Sequence, residues 1–500
     1  MRRSWAQFAV IALALAGCSA LINPDVTQLG DDPDAGPDVV LMDAGTPPPP
    51  GTDAGTPPPG TDAGPPPPGT DAGPPPPGTD AGPPGVDAGC TPSCAGGVLA
   101  GCDGDAVTCP LGCALDGSAQ CAEMIPSNVD ASLWRSDARD LVASASPGGA
   151  ALFFDTTECM ARMVDSMVVT QSDGTELCVL IVGDLTIQRN AGLVVRGSRP
   201  LVVMASGDIT IEQNGVLDVG ARTNVPGPGG AAAGTRGATD GGGAAGGEGG
   251  SHVGSFDDGG GGGGGFCGDG GHGGTGGGGS GGPGGGALSA TEVGLLIPLR
   301  AGSGGGMGEG GMGDGDPVGN AGVGGAGGGA VQLSTRGTIT IDGWILAGGG
   351  GGSGGRNDFG QWGAGGGGGS GGGVLVEAPT VSVGAMGGVV TTGGGGAGSA
   401  SDSRDGFDGE NGAMTLGPAN GGFRGGNNYG ADGGDSGGGD APAGLDGGDN
   451  LRGGANGGGG GGGVGCVVYR TGDGVEPAGA RARTSGSTDA SFMHAPVLLR

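Results

Sequence analysis

The chain has 500 residues, of which 138 are glycine and 35 are proline, together more than a third of the sequence. This composition excludes a conventional close-packed globule along the whole chain, and glycine runs such as 457–463 exclude the strict Gly-X-Y period of collagen. The formal net charge is −31, and all 20 basic residues are arginines. A chain without lysine has no P-loop or Schiff-base lysine, and so acidic a surface disfavours nucleic acid as a partner.

The N-terminus has the features of an exported protein. Two arginines precede a short apolar run that ends in Leu-Ala-Gly at residues 15–17, directly before Cys18. A basic start, a segment too short to span a bilayer and small residues at the cleavage point predict a signal peptide at residues 1–17. Leu-Ala-Gly-Cys resembles a bacterial lipobox, which implies a lipid on Cys18; an ordinary signal peptide with a nearby cysteine is the alternative. Ser19 follows, and by resemblance to enteric sorting this implies the outer membrane, with the protein surface-exposed or periplasmic.

Residues 18–89 are acidic and rich in proline. They contain eleven aspartates and no basic residue, and Asp-Ala-Gly recurs with a dominant spacing of nine residues. Too few apolar side chains are present to offset the entropy of ordering this segment. The sequence therefore predicts a disordered stalk that carries the rest of the protein away from the membrane. A proline-rich ligand for a partner domain is the alternative, although no basic residue flanks the prolines.

Six cysteines follow in a stretch too short to bury a core of its own. An even number of cysteines in an exported chain predicts a disulfide module at residues 90–122, and six cysteines allow fifteen connectivities. Zinc is the alternative, but the stretch contains no histidine. A further disulfide is predicted between Cys159 and Cys178, whereas Cys267 and Cys466 are either a pair or free thiols. The cysteines of the module are Cys90, Cys94, Cys102, Cys109, Cys113 and Cys121.

A direct repeat lies within the glycine-rich region. The segment Gly-Asp-Leu-Thr-Ile-Gln at 183–188 returns 24 residues later as Gly-Asp-Ile-Thr-Ile-Glu, and shorter copies follow at 338–341 and 380–383. Such a period with alternating aliphatic residues predicts a short right-handed parallel β-solenoid at residues 177–500, behind an N-terminal cap at 123–176. The expected inward columns are Leu185, Ile209, Ile339 and Val381, and Ile187, Ile211, Ile341 and Val383. An antiparallel sandwich is the alternative.

The long glycine tracts occupy one position in this repeat. They follow the third strand of a coil, at residues 221–329, 348–373 and 393–463. Insertions at one corner of a solenoid emerge on one face, where repeat proteins usually carry their binding surface. Glycine runs lose much entropy on ordering but can pack as extended helices if their neighbours accept hydrogen bonds, so their order stays open. The apolar island 295–299 is expected to dock a strand on the solenoid.

The combination of lipobox, Asp-Ala-Gly/Pro stalk and blocks such as Gly-Val-Leu-Val-Glu-Ala-Pro-Thr-Val at 373–381 resembles glycine-rich lipoproteins of myxobacterial type. The bulk composition is similar to PE-PGRS surface proteins, although the helical PE module is missing. This resemblance implies a surface role and supplies no functional residues. It leads us to expect a non-enzymatic protein with a structural, adhesive or matrix-contact role. Its expected partners are the membrane, which it contacts through the N-terminal lipid, and extracellular polysaccharide or envelope components.

Motifs for catalysis or metal binding lack the context that they need. Gly-Asp-Ser-Gly-Gly at 434–438 matches the loop around the nucleophile of trypsin-like proteases, but no suitable histidine segment precedes it. We therefore expect no catalytic residue, no metal and no cofactor. A polysaccharide-active solenoid enzyme, lyase or hydrolase, is the alternative function, and Asp184 and Asp208 are its only candidate pair.

Overall fold

The computed structural model describes residues 91–499 except 103, 110, 117, 146–150, 253–256, 311–318, 359–360, 413–414, 427–428, 440, 453–454, 482–483 and 486–490. The signal peptide, Cys18, the stalk and Cys90 therefore lie outside the described residues. Those described belong to one compact unit, Gly85–Arg500. Nearly all of their regular secondary structure is β-strand, so the all-β class is confirmed.

The cysteine-rich module consists of two small antiparallel sheets. One sheet has three strands, β1 (Ser93–Ala95), β2 (Val98–Ala100) and β3 (Ala106–Thr108), and the other is the hairpin β4 (Cys113–Asp116) and β5 (Ser118–Cys121). Disulfides join Cys94 to Cys113 and Cys109 to Cys121, and Cys102 is also disulfide-bonded. Because β3 is exposed along its length, the module is held by these cross-links more than by a core.

The remaining strands are short and are separated by turns or by the glycine tracts. The first group is β6 (Met124–Ile125), β7 (Leu141–Ala143), β8 (Leu152–Asp155), β9 (Asp165–Thr170), β10 (Glu176–Val182), β11 (Leu185–Ile187), β12 (Gly192–Arg196), β13 (Leu201–Ala205), β14 (Ile209–Ile211) and β15 (Val216–Asp218). The second group is β16 (Ala330–Thr335), β17 (Thr338–Ile341), β18 (Trp344–Leu346), β19 (Asn357–Asp358), β20 (Gln361–Trp362), β21 (Gly373–Ala378), β22 (Thr380–Val383), β23 (Gly388–Val390), β24 (Cys466–Thr471), β25 (Phe492–Pro496) and β26 (Leu498–Leu499). Among the described residues, helical structure is limited to α1 (Ala290–Val293) and to 3-10 turns at Ala131–Leu133 and Gly294–Leu296.

Three sheets contain most of these strands, and the chain visits them in turn, whereas β6 with β26 and β19 with β20 form separate antiparallel pairs. Sheet 1 has the order β7-β11-β14-β17-β22, sheet 2 the order β8-β12-β15-β18-β23, and sheet 3 the order β9-β10-β13-β16-β21-β24-β25. All neighbours within them are parallel except β9, which pairs antiparallel with β10. The predicted parallel pairing is confirmed, and the antiparallel sandwich is wrong for these strands.

The register in sheet 1 is the one that the repeat predicts. Leu185 pairs with Ile209, Ile209 with Ile339, and Ile339 with Val381. These four residues are buried, as are their partners two positions on, except Val383, which is half-buried against the same core. The alternation therefore places one aliphatic face inward along the whole sheet.

The repeating part begins earlier than the predicted boundary at residue 177. Strands β7 and β8, which lie in the segment predicted as a cap, pair in parallel with β11 and β12. Leu141 and Ala143 extend the two inward columns of sheet 1, since they stand opposite Leu185 and Ile187. The disulfide between Cys159 and Cys178 joins the segment after β8 to β10.

The glycine tracts are ordered as extended helices that bond through their backbones. In the run 259–265, called glycine helix 1, the acceptor changes with each residue and returns to the same neighbouring segment at every third residue. This is the period of an extended helix with three residues per turn. The bonds run from Gly260 and Gly263 to Gly274 and Gly271, from Gly261 and Gly264 to Gly365 and Gly368, and from Gly262 and Gly265 to Glu248 and Ala245.

The three tracts together form a single bundle. Glycine helix 2 (residues 365–371) comes from the second tract and glycine helix 3 (residues 457–463) from the third. Gly261 donates to Gly365 at 3.0 Å, Gly365 donates to Gly457 at 3.1 Å, and Gly460 donates back to Gly261 at 2.9 Å. The three helices therefore meet pairwise, and the tracts are not independent loops on a corner.

Close packing explains why these helices contain almost only glycine. A Cβ atom added to Gly367 would lie 2.1 Å from the carbonyl oxygen of Gly262, and one added to Gly459 would lie 2.0 Å from that of Gly366. These distances are well inside van der Waals contact, so no side chain fits at such positions. The absence of Cβ atoms lets backbones approach closely enough for each N–H to reach a carbonyl on a neighbouring helix.

Aspartate side chains complete the hydrogen bonding at the edge of the bundle. Asp405, Asp408 and Asn411 are three residues apart, and they accept the N–H groups of Asn357, Gly354 and Gly351 at 2.7, 2.7 and 3.0 Å. Asp432 and Asp435 do the same for a neighbouring helix. A helix at the edge has no neighbouring helix on its outer side, and there an acidic or amide side chain accepts the hydrogen bond instead. This accounts for much of the acidity of the third tract.

The island at residues 295–299 docks on sheet 3, but the expected strand is wrong. Ser289 caps α1 with a capping box, and the chain turns through Gly294–Leu296 before it passes over the sheet. Leu296 and Leu299 are buried against β10, β13 and β21. Near this point Cys267, two residues after the end of glycine helix 1, forms a disulfide with Cys466 at the start of β24.

Candidate functional site

The side chains of the candidate pair Asp184 and Asp208 accept hydrogen bonds from backbone N–H groups of sheet 1. The Oδ1 atom of Asp184 accepts the N–H of Asp208 at 2.7 Å, and that of Asp208 accepts the N–H of Thr338 at 2.7 Å. Asp140 makes the same contact with the N–H of Asp184 at 2.9 Å. The three carboxylates form a ladder along the N-terminal ends of successive strands of sheet 1, and each accepts an N–H group from the next strand or from the residue before it.

The residues of the other sequence motifs also form contacts within the bundle. Ser436 of the protease-like motif is buried, where its hydroxyl accepts the N–H of Ala419 and donates to the carbonyl of Gly437. Cys267 is bonded to Cys466, and Asp269 accepts the N–H of Ala287. Within the described ranges, no group of three or more histidine, cysteine, aspartate or glutamate side chains could hold a metal ion.

A buried polar cluster on the outer face of sheet 3 was not predicted from the sequence. Glu377 in β21 is buried, and its carboxylate accepts hydrogen bonds from the hydroxyl and N–H of Ser127, from Gln332 at 2.8 Å and from Ser334 at 2.8 Å. Arg470 in β24 donates to the Ser127 hydroxyl at 2.8 Å. Burial raises the pKa of Glu377, and the hydrogen bonds and the charge of Arg470 oppose this rise.

This cluster fixes the segment around Ser127 to the sheet. Glu377 and Ser334 lie on neighbouring strands and face outward, whereas the flanking residues Val376 and Leu333 face the core. The Glu377 carboxylate accepts four hydrogen bonds from within the chain, and this cluster is therefore called the structural clamp. The signal that could have found it is the single acidic residue in the block Gly-Val-Leu-Val-Glu-Ala at 373–378.

A cavity of about 470 Å³ lies where sheet 3 meets the glycine bundle. Sheet 3 and its turns supply Glu176 and Arg199, which form an ion pair at 2.7 Å. The bundle side supplies Phe266, Leu288 and Arg300. The volume is in the range of small-molecule sites, and the lining combines an apolar surface with a few charged groups.

Arg300 is the distinctive residue of this cavity. Its Nε atom is buried without a hydrogen-bond partner among the described residues. The charge of Arg300 acts on two carboxylates, those of Asp173 and Glu292. Asp173 also accepts the hydroxyl and the N–H of Thr175 at 2.7 and 3.0 Å. Burial acts against ionisation of Asp173, but these hydrogen bonds and the charge of Arg300 lower its pKa overall. No pattern in the sequence predicts this cavity, because its lining combines two separate stretches of the chain, residues 173–200 and residues 229–303.

A second group of titratable residues is buried within the bundle. Asp258 is fully buried, and neither of its carboxylate oxygens has a hydrogen-bond partner among the described residues. Burial, followed by the charges of Glu309 and Asp257, raises the pKa of Asp258 to about 7. Burial also raises the pKa of Glu309, whose carboxylate lies 3.6 Å from Nδ1 of His252.

We expect the free energy of unfolding to fall as the pH rises from about 4 to about 7. The folded protein holds a proton on Asp258 that the unfolded chain releases near pH 4, so this share of stability is complete below pH 4 and is lost as the pH passes the folded pKa of about 7. The loss amounts to at most about 4 kcal/mol. Denaturant unfolding at a series of pH values measures it.

Asp258→Asn should flatten this part of the pH dependence. Asp137→Asn, at an exposed position, is the matched control and should leave the curve unchanged. Equal slopes for the wild type and Asp258→Asn would contradict the assignment.

Comparison of the chain with protein-family models, with curated proteins and with solved structures finds no match. In the part of the chain that the structure describes, no helix has both the length and the apolar character for a membrane span.

Proposed function

We propose that this chain is a lipid-anchored, non-enzymatic outer-membrane protein whose role is structural, adhesive or matrix contact. In this proposal the three sheets form a right-handed parallel β-solenoid. An acyl group on Cys18 holds the protein at the membrane, and the acidic stalk at 18–89 carries the solenoid and its bundle outward.

The observation that carries the proposal is the union of the three glycine tracts in one hydrogen-bonded bundle. Its interior groups are used by backbone contacts, and the Cys267–Cys466 disulfide joins it to sheet 3. A rigid body of this kind suits a contact or scaffolding role. The hypothesis of a non-enzymatic role is supported by the ladder in which the carboxylates of Asp184 and Asp208 accept hydrogen bonds from backbone N–H groups.

The anchor is tested by metabolic labelling with a fatty acid in a Gram-negative host. The wild-type chain should take up label and fractionate with membranes, whereas Cys18→Ala should lose the label and accumulate as an unprocessed precursor. Ser19→Ala is the matched control and should still be labelled, because it leaves the acceptor thiol in place. Globomycin should block processing of the wild type, and unchanged processing in its presence would refute the anchor.

The polysaccharide-active alternative makes a different prediction. It requires release of reducing ends or unsaturated products from a glycan panel, and the release must be lost in Asp184→Asn or Asp208→Asn. Turnover of this kind would replace the non-enzymatic proposal, whereas binding without turnover would support a contact role.

A further inference from the structure

The first strands of the three sheets, β7, β8 and β9, lie at one end of the fold, and residues 156–164 join β8 to β9 there. In this end segment, Cys159 and Val164 are buried in the core that the sheets share, and a disulfide fixes Cys159 to β10. The hydroxyl of Ser166 in β9 accepts the N–H of Ala161 and donates to the carbonyl of Cys159, both at 3.0 Å. The end segment is therefore a fixed part of the fold.

The outer surface of the end segment is apolar. Met160 is 71% exposed, Met163 is 53% exposed, and Val168 in the adjoining β9 is 41% exposed. We call these three side chains the end face. Stacked repeats need terminal units with a polar outer face to stay soluble on their own, and clustered exposed apolar side chains mark a site of association. Methionine suits such a site, because its flexible side chain adapts to an opposing surface.

Two opposite charges flank the end face in a symmetrical arrangement. Glu158 and Arg162 are exposed and lie two positions before and two positions after Met160, while Cys159 is buried and Ala161 is half-buried between them. Neither Glu158 nor Arg162 forms an ion pair with another described residue. When two identical segments lie antiparallel about Met160, Glu158 of each copy faces Arg162 of the other. The end segment is thus complementary to itself in charge.

We propose that the end face is the interface of a homodimer with two-fold symmetry, in which the two copies of Met160 meet at the axis. Glu158 and Arg162 form two symmetry-related ion pairs at the rim, and the second copy covers Met163 and Val168. Such an isologous contact closes on itself, so the assembly is a dimer and not a filament.

The charges favour a second copy over a lipid surface as the occupant. Anionic headgroups repel Glu158, which lies directly beside the apolar side chains, whereas a second copy supplies Arg162 opposite it. The formal net charge of −31 opposes association of two copies. Salt at about 0.15 M screens charges that lie more than about 8 Å apart, so the contacts at the interface dominate.

The test is sedimentation velocity of the purified full chain between about 1 and about 300 µM, a range that brackets weak interfaces. Every sample carries Cys18→Ala, so that no acyl group can drive association and the result does not depend on the proposed anchor. We expect a monomer–dimer equilibrium with a dissociation constant on the order of 10 to 100 µM, because the interface is small.

Met160→Asp should weaken dimerisation by at least about tenfold, because it places two carboxylates against each other at the axis. Met386→Asp is the matched control. Met386 is 59% exposed and lies between β22 and β23, the last strands of sheets 1 and 2. This variant should dimerise like the wild type.

An exchange of charges tests the two-fold symmetry directly. Glu158→Arg and Arg162→Glu alone should each weaken the dimer by at least about tenfold, because each creates two pairs of like charges. The double variant restores both ion pairs and should return to within about threefold of the wild type. Arg404→Glu, at an exposed arginine of the third tract, is the control. Thermal unfolding at about 1 µM, where the monomer predominates, shows that each variant is folded.

Three results would overturn the proposal. They are a monomer at every concentration, dimerisation that Met160→Asp leaves unchanged, and failure of the folded double charge variant to recover. A chain that stays monomeric but cosediments with vesicles of phosphatidylethanolamine and phosphatidylglycerol, and loses this binding in Met160→Asp, would assign the end face to a membrane instead.

Discussion

Replacement of Gly367 by alanine should lower the free energy of unfolding by about 3 kcal/mol or more. The new methyl group would lie 2.1 Å from the carbonyl oxygen of Gly262 and 2.5 Å from its carbonyl carbon. Both partners are backbone atoms in hydrogen-bonded helices, so neither can move aside as a side chain can. The substitution must separate glycine helices 1 and 2 and break the bonds on both sides.

Gly286→Ala is the matched control for this prediction. A Cβ atom at Gly286 meets no atom within 4 Å, and its φ is not in the left-handed region. The substitution should therefore be neutral or slightly stabilising, because alanine reduces the entropy of the unfolded chain. Denaturant unfolding of both variants gives the comparison, and similar midpoints for Gly367→Ala and wild type would refute the close packing of the bundle.

Replacement of Glu377 by alanine should lower the free energy of unfolding by about 3 to 5 kcal/mol. The change removes the acceptor for Ser127, Gln332 and Ser334 and leaves the nearby charge of Arg470 without its counter-ion. These groups are shielded from water, so they cannot regain their hydrogen bonds without opening the contact.

Glu377→Gln separates the acceptor role from the charge. It retains one carbonyl acceptor and should cost less than alanine, while Glu158→Ala at an exposed site should change stability by less than about 0.5 kcal/mol. Hydrogen exchange at Ser127 gives a local readout, because its N–H should lose protection in Glu377→Ala. Retained protection together with wild-type stability would contradict the clamp.

The sheets could be predicted from the sequence because aliphatic and polar side chains alternate along their strands. Leu185 and Ile187 recur at a fixed offset as Ile209 and Ile211, and parallel stacking follows from the need of each coil to bury one face. The pairing of β7 and β8 with these sheets was not predicted, because Leu141 and Ala143 form a weaker copy of that pattern. The island at 295–299 was apolar enough to predict docking, but its conformation depends on a cap at Ser289.

The bundle could not be derived in the same way. Glycine has no side chain that records its neighbour, so Gly261 gives no sign that its partner is Gly365, more than 100 residues away. The edge of the bundle can be recognised in the sequence, since Asp405, Asp408 and Asn411 repeat at the three-residue period of the helix. The cavity at Arg300 is hidden for a related reason, because it exists only where the bundle has already assembled on sheet 3.

The three-residue period of the glycine helices also constrains how their genes can change in length. Loss of one residue rotates everything that follows by about 120°, so each N–H faces a different neighbour and Asp408 turns from the rim toward the interior. Loss of three residues shortens a helix by about 9 Å but preserves its orientation. We therefore expect insertions and deletions within these helices to preserve the bundle in steps of three residues, which correspond to nine nucleotides.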